Sequence, residues 1–524
     1  MKKTKKPRIR VPKQRVRILD TTLRDGEQAA HGTILPHEKL EIALLLSRMG
    51  VDAIEAGFPV SSQGDYEAVS MIAGEVRGAY IAGLARAVEA DIERAWDALK
   101  YSEKPVIHTF IGTSPVQMAT QLKKSPKEVL KMAEEAVRCA KGCAGSKGYV
   151  QFSPMDATRT EPAFLHEVIQ AAIEAGADII NIPDTVGYAT TDEFENIIKD
   201  VRENVPDIGQ AILSVHCHDD LDLAVANSMK AVQMGVEQVE CTVNGIGERA
   251  GNAALETIVM GLKVREDWYG KRTKVKTRYI AKASDMVGKY TGLPVPQNHP
   301  VVGEGVFDHS SGIHSDGVLK DRENFEIMDP THIGREGDVS KRIPIGARTG
   351  RKGVAANARR LGYDLSPEEA EKTYELAMNI ADMKKEVTDD DLRVIIEDDV
   401  RGYAGTYELI SFQASSTQGE GCTAKVVLGY DGAVSKEAAC GDGPVDAAGI
   451  AIEKMTGRRI RVDDFKLDAI TGGKDAIGEV TLYASDNGHK VVAKGASTNI
   501  VEASVKAYVN ALNKIMFYQQ TQEK

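Results

Sequence analysis

The chain is short of several things, and each shortage removes a class of protein. Six cysteines among 524 residues are scattered without the even, close spacing of a disulfide framework, which fits a reducing compartment. Cys139 and Cys143 (CAKGC) share a helix face rather than a metal. No uninterrupted apolar stretch is long enough to be a membrane span or signal peptide. Positive charge is in deficit, with 66 Lys and Arg against 77 Asp and Glu, net −11, which argues against a nucleic-acid partner. Eight of the first fifteen residues are nevertheless basic and read as a solvated tail over 1–15. The first candidate strand also lacks the Gly-rich turn of a dinucleotide-binding fold; DTTLRDGEQ stands there instead.

What is present is alternation. Short β-branched runs occur at 16–19, 51–57, 79–85, 105–111, 149–153, 177–182, 211–217 and 236–243. Amphipathic stretches such as HEKLEIALLLSRMG (37–50) and SPKEVLKMAEEAVRCAKG (125–142) lie between them. Eight such units in roughly 250 residues predict a (β/α)8 TIM barrel over 16–268, with a doubly wound open sheet as the alternative. Residues 269–400 read as helical connector subdomains, including a helix at 366–386, with GIHSDG (312–317) in a loop. From 401 to 524, strand-like runs at 407–416, 423–430, 479–485 and 489–497 are joined by helical runs at 447–457 and 499–516, an α+β domain.

A barrel places chemistry on the loops after its strands. Arg24, Asp25 and Gln28 follow strand one, Glu55 ends strand two and His108 lies in strand four. Thr185 follows strand six, and the stretch from Asn244 to Asn252 follows strand eight. In LSVHCHDDLDLAVANS (213–228), His216 and His218 stand two apart at a strand end and so share a face. Together with Asp25 and the amide oxygen of Asn252 they would make a mixed N/O set suited to Mn²⁺, Zn²⁺, Fe²⁺ or Co²⁺. Each piece has a plainer reading: a polar strand end, a helix cap for Asn252, a turn for Asp25–Gly26, a hydrogen-bonded core residue for His108. It is their joint placement that predicts a site.

The strings LDTTLRDGEQ, DAIEAGFP, HTFIGTS, NIPDTVGY, SVHCHDD, NGIGERAGN and GIHSDG, with GDGPVDAA and ITGGKDAIGEVT further on, resemble the 2-isopropylmalate synthase family. That family lies within a wider group of homocitrate and citramalate synthases and 3-hydroxy-3-methylglutaryl-CoA lyases. The resemblance implies a cytoplasmic acyltransferase that condenses acetyl-CoA with the 2-oxo acid 3-methyl-2-oxobutanoate and hydrolyses the thioester. It implies Asp25, His216, His218 and Asn252 as ligands of a divalent metal, Mn²⁺ foremost with Zn²⁺, Co²⁺ or Mg²⁺ as alternatives, and K⁺ as an activator. Arg24 would polarise the ketone, and Gln28, His108 and Thr185 would bind the oxo acid. His314 would act on acetyl-CoA from a segment reaching over the partner subunit of a homodimer. Residues 401–524 would sense leucine, with Gly441, Gly443, Pro444 and Ala447 in the effector loop. Citramalate or homocitrate synthesis, a lyase and a weakly active regulatory paralogue stay open. The chain departs from the family pattern at Met155 for a glutamate, Asp222 for a glycine and Phe325 for a tyrosine, and IPIGARTGRKG (343–353) replaces a stretch that usually contains histidines.

Overall fold

A computed structural model describes residues 9, 11–309, 311–335, 345–346, 348–383, 387–400, 407–417, 421–469, 478–486 and 489–522. The strands β1 (Arg17–Asp20), β2 (Ala53–Glu55), β3 (Tyr80–Arg86), β4 (Pro105–Gly112), β5 (Tyr149–Met155), β6 (Ile179–Asp184), β7 (Ile212–Cys217) and β8 (Gln238–Cys241) pair in sequence order. All are parallel, and β8 closes on β1. Every predicted apolar run overlaps one of them, so the barrel holds and the open sheet does not.

The outer layer forms for local reasons. The helix Pro126–Ala144 starts at Ser125, whose hydroxyl accepts from the Glu128 backbone N–H while Glu128 returns the bond, a capping box with proline in the first turn. It buries Val129, Ala133, Ala136, Val137, Ala140 and Ala144, a stripe of helical period turned to the sheet. Each larger apolar side chain so buried contributes roughly 1.5–3 kcal/mol.

The strands alternate, and their second face is polar. Arg17 donates from Nε to Gln238 Oε1 (3.1 Å), and its guanidinium lies 4.6 Å from the Tyr80 ring centroid. Gln238 Nε2 donates to Gln151 Oε1 (3.3 Å) and to Ser214 Oγ (3.2 Å), and Gln151 Nε2 donates to Glu240 Oε1 (2.7 Å). Arg17, Gln151, Ser214, Gln238 and Glu240 are all buried. These polar side chains bond one another, as burial demands, but one oxygen of Glu240, Oε2, is left without a hydrogen-bond partner.

The chain divides into two compact units, Met1–Phe307 with Ile327–Ser340, and Asp308–Glu326 with Lys341–Lys524. In the second, the helices Arg351–Arg360, Pro367–Met383 and Asp389–Val394 share a small core that includes Val354, Ala358, Ala377 and Leu392. Two antiparallel three-stranded sheets follow. One holds β9 (Tyr407–Thr417), β10 (Gly421–Tyr430) and β11 (Ala433–Gly441), the other β12 (Arg461–Ala469), β13 (Gly478–Asp486) and β14 (His489–Ser497). The helices Pro444–Thr456 and Ile500–Gln522 pack on them around one core, an α+β arrangement.

Two expectations need correction. GIHSDG does not form a loop; it opens the helix Gly312–Lys320. Two glycines weaken the local signal, but Ser315 Oγ donates to His309 O (2.7 Å) and His314 stacks on Phe325 at 4.2 Å, so tertiary contacts hold the turn. β11 and β12 were not legible. AVSKEAACG and RVDDFKLDA are charged and largely exposed, and they become strands through pairing with distant neighbours.

Candidate active site

Chain reversal after β1 places Asp25 at the start of a short 3-10 turn, Gly26–Gln28. His216 is the next-to-last residue of β7, and His218, just beyond the strand, makes a bridge with Asn252 in the loop after β8. Three separate loops thus deliver four buried side chains to one point. Asp25 Oδ2 lies 3.6 Å from His216 Nε2 and 3.8 Å from His218 Nε2, and the two Nε2 atoms are 3.3 Å apart. Ligands on a common ion at about 2.0–2.2 Å would sit near these separations after a contraction of a few tenths of an ångström. Asn252 donates from Nδ2 to Asp25 Oδ1 (2.8 Å) and to Ile246 O (3.1 Å), which leaves its buried Oδ1 without a partner. An orphaned amide oxygen beside two imidazoles and a carboxylate is a set that a divalent cation satisfies, and the residues fit such an ion.

The electrostatics agree. Burial opposes the charge on Asp25, but Arg24 and His216 hold its carboxyl well below the usual range. Burial also opposes charge on His216, yet Asp25 and Glu240 carry its pKa up to about 9. Burial and the neighbouring His216 push His218 down to about 4. Arg24 is ion-paired with Asp25 and donates from Nε to Glu55 Oε2 (2.6 Å). Glu55, fully buried, is held down at about 2 because Arg24 and His108 outweigh the penalty of burial.

A cavity of about 240 Å³ opens on this cluster. Arg24, Gln28, His108, Met155, Thr185 and both histidines line it, with Phe58, Leu84, Phe110 and Pro183 as apolar wall. His108 reaches Glu55 Oε1 through Nδ1 (2.6 Å) and Ser153 Oγ through Nε2 (2.7 Å), so both ring nitrogens already have protein partners. Ser153 also accepts from Asn181 Nδ2 (2.9 Å), and Thr185 Oγ1 accepts from the Asp156 N–H (2.8 Å). Arg249, at φ 56°, grips both carboxylate oxygens of Asp220 (2.8 Å each) and donates to Thr185 O (2.9 Å), pinning three loops together.

The sequence reading missed Asn181, Gln151, Glu240 and Arg249 as parts of this assembly. Gln238 and Glu240, two apart in an otherwise apolar strand, were a readable sign of a polar inner face. His314 belongs to the other compact unit. There, Gly441 ends β11, Gly443 precedes the helix Pro444–Thr456, Pro444 opens it and Ala447 is buried in it. A cavity of about 1030 Å³ nearby is lined by Val445, Asp446 and Gly449 of that helix, with Arg461, Ser485 and Lys490; none of the four expected residues lines it. The first part of the ITGGKDAIGEVT string, 470–477, lies outside the described residues.

Residues 15–287 match the HMGL-like family, 301–385 the homocitrate synthase post-HMGL domain-like family, and 386–516 the LeuA allosteric (dimerisation) domain. A 2-isopropylmalate synthase of Pelotomaculum thermopropionicum is 48% identical over 509 residues, covering 97% of this chain and 99% of that protein. One of Carboxydothermus hydrogenoformans is 47% identical over 513 residues, covering 98% and 100%. Another, of Syntrophus aciditrophicus, is 46% identical and covers 97% of each chain.

Proposed function

The chain belongs to the 2-isopropylmalate synthase family, and from that premise we propose how its own residues carry the reaction. Acetyl-CoA condenses with 3-methyl-2-oxobutanoate, and the thioester is hydrolysed to 2-isopropylmalate and CoA. The observation that supports this most is the buried Asp25–His216–His218 cluster with the unsatisfied Asn252 Oδ1 at the foot of a small, largely apolar cavity.

Asp25, His216, His218 and Asn252 would hold the divalent ion; the mixed N/O set suits Mn²⁺, Zn²⁺, Fe²⁺ or Co²⁺, and the family resemblance puts Mn²⁺ foremost. When bound, such an ion supplies Lewis-acid polarisation of a ketone. Arg24, fixed by Glu55, presents the rest of its guanidinium fork to the oxygen on which negative charge develops. Leu84, Phe110 and Pro183 accept the branched alkyl end, while Gln28 and Thr185 offer polar contacts to the carboxylate. His108 keeps Ser153 oriented toward the same space. His314 takes the proton from the acetyl methyl group, and its stacking on Phe325 fixes the ring for that transfer. The second unit carries the dimer contact and an allosteric leucine site. Among the described residues no helix is long and apolar enough to cross a membrane.

Purified protein with Mn²⁺, acetyl-CoA and a panel of 2-oxo acids, followed by a thiol reagent for free CoA, tests the assignment. The highest kcat/KM is expected with 3-methyl-2-oxobutanoate, and leucine should lower the rate. Release with pyruvate alone would replace this reading by citramalate synthesis, which the altered wall at Met155 keeps in view.

A further inference from the structure

Two buried polar atoms beneath the cluster face each other without a hydrogen-bond partner: His216 Nδ1 and Glu240 Oε2. They lie 3.4 Å apart across the parallel pair β7–β8, where His216 and Glu240 are in register. The other oxygen of Glu240 is fully engaged, Oε1 accepting from Gln151 Nε2 (2.7 Å) and Ser214 Oγ (2.9 Å). Gln151 is in turn held by Gln238, and Gln238 by Arg17. A carboxylate clamped on one side thus offers its second oxygen to the imidazole and to nothing else within reach.

We propose that Glu240 is a positioning residue that fixes His216 in the tautomer and ring orientation needed to present Nε2 to a divalent cation. An imidazole that ligates through Nε2 must carry its proton on Nδ1, and that N–H needs an acceptor. Glu240 Oε2 is a pure acceptor at the right place, and closing the gap to hydrogen-bond distance accompanies ligation. The column from Arg17 to Gln151 stops the carboxylate from turning away. Glu240→Gln inverts the preference. Gln151 and Ser214 both donate, so the new amide must direct its oxygen to them and its NH₂ to His216. An NH₂ group facing Nδ1 demands a lone pair there, which sends the ring proton to Nε2, the ligand atom.

The proposal rests on the metal reading of the Asp25–His216–His218 cluster, and its test separates the two. The full-length protein is titrated with Mn²⁺, free ion being followed by its electron paramagnetic resonance signal, and melting is recorded with and without the metal. Glu240→Gln should weaken Mn²⁺ binding roughly 10- to 100-fold, with little change in the melting of the metal-free protein. Glu240→Asp, which keeps an acceptor, should recover part of that loss. Unchanged Mn²⁺ affinity in Glu240→Gln overturns the proposal, as does a variant that only melts earlier. His216→Ala is the reference: if it too binds Mn²⁺ like the parent, the metal reading itself falls. Should Glu240→Gln fail to fold, Ser214→Ala, which removes one of the two bonds aiming the carboxylate, should cost roughly two- to fivefold, and no loss there would equally overturn it.

Discussion

Met155 stands in the wall of the cavity beside the Asp25–His216–His218 cluster, where the family resemblance leads one to expect a glutamate. A thioether neither takes a proton nor orients an imidazole. Met155→Glu is expected to raise kcat roughly tenfold, less than the 10²–10⁴ typical of a fully positioned acid or base; a fall would show a pocket rebuilt around sulfur. Asp222 has a different explanation. Its φ of 59° lies in the left-handed region, which favours glycine and which aspartate tolerates better than most residues. Asp222→Gly should leave turnover unchanged and stabilise the barrel by up to about 1 kcal/mol, measured by urea unfolding. Phe325 keeps the stack on His314 without a hydroxyl, so the ring's packing survives the departure from tyrosine.

Individual elements show why some of this could be read in the chain and some could not. The eight barrel strands announce themselves because each buries apolar residues within its own few positions. The candidate metal-binding residues Asp25, His216, His218 and Asn252 could be picked out because they sit where those strands stop. Glu240 was not, since its role depends on His216 and Gln151 from other strands, partners that local pattern cannot name. β11 and β12 were hidden for the same reason. In the loop after β8, Gly247 adopts φ 157°, and a Cβ there would come within 2.1 Å of Asn252 Nδ2 and 2.9 Å of Asp25 Oδ1. Gly247→Ala should therefore push Asn252 off Asp25 and weaken Mn²⁺ binding by at least about tenfold, read by the same titration, with a smaller effect on folding. In the second unit, Lys494 on β14 pairs with Asp391 at the start of a helix and with Glu479 on β13 (2.8 Å). Burial works against the Asp391 charge, but Lys494 and the Thr388 cap hold its pKa down at about 2. An acid depressed in the folded state stabilises it above its unfolded pKa, near 4, and ceases to do so as pH falls to 2. Lys494→Met should cost about 2 kcal/mol at pH 7, and the gap from the parent should narrow between pH 4 and 2 in denaturant titrations.

For the molecule as a whole, the division into two compact units predicts separable responses. A cation that binds only the folded barrel stabilises it by mass action, about 2.7 kcal/mol at a hundredfold excess over Kd. In calorimetry, chelation should lower the melting of the transition that contains the barrel, Mn²⁺ should restore it, and the transition of the second unit should not move. A shift of both together would mean that the units unfold as one. The path of the backbone carries a further consequence. Asp308–Glu326, with His314 and its helix, is built into the second unit although the chain returns to the first at Ile327 before leaving again. A gene cut back to its eight-stranded half would therefore encode the candidate metal cluster without His314. Removing residues 341–524 would equally leave Asp308–Glu326 without the rest of the unit it is built into.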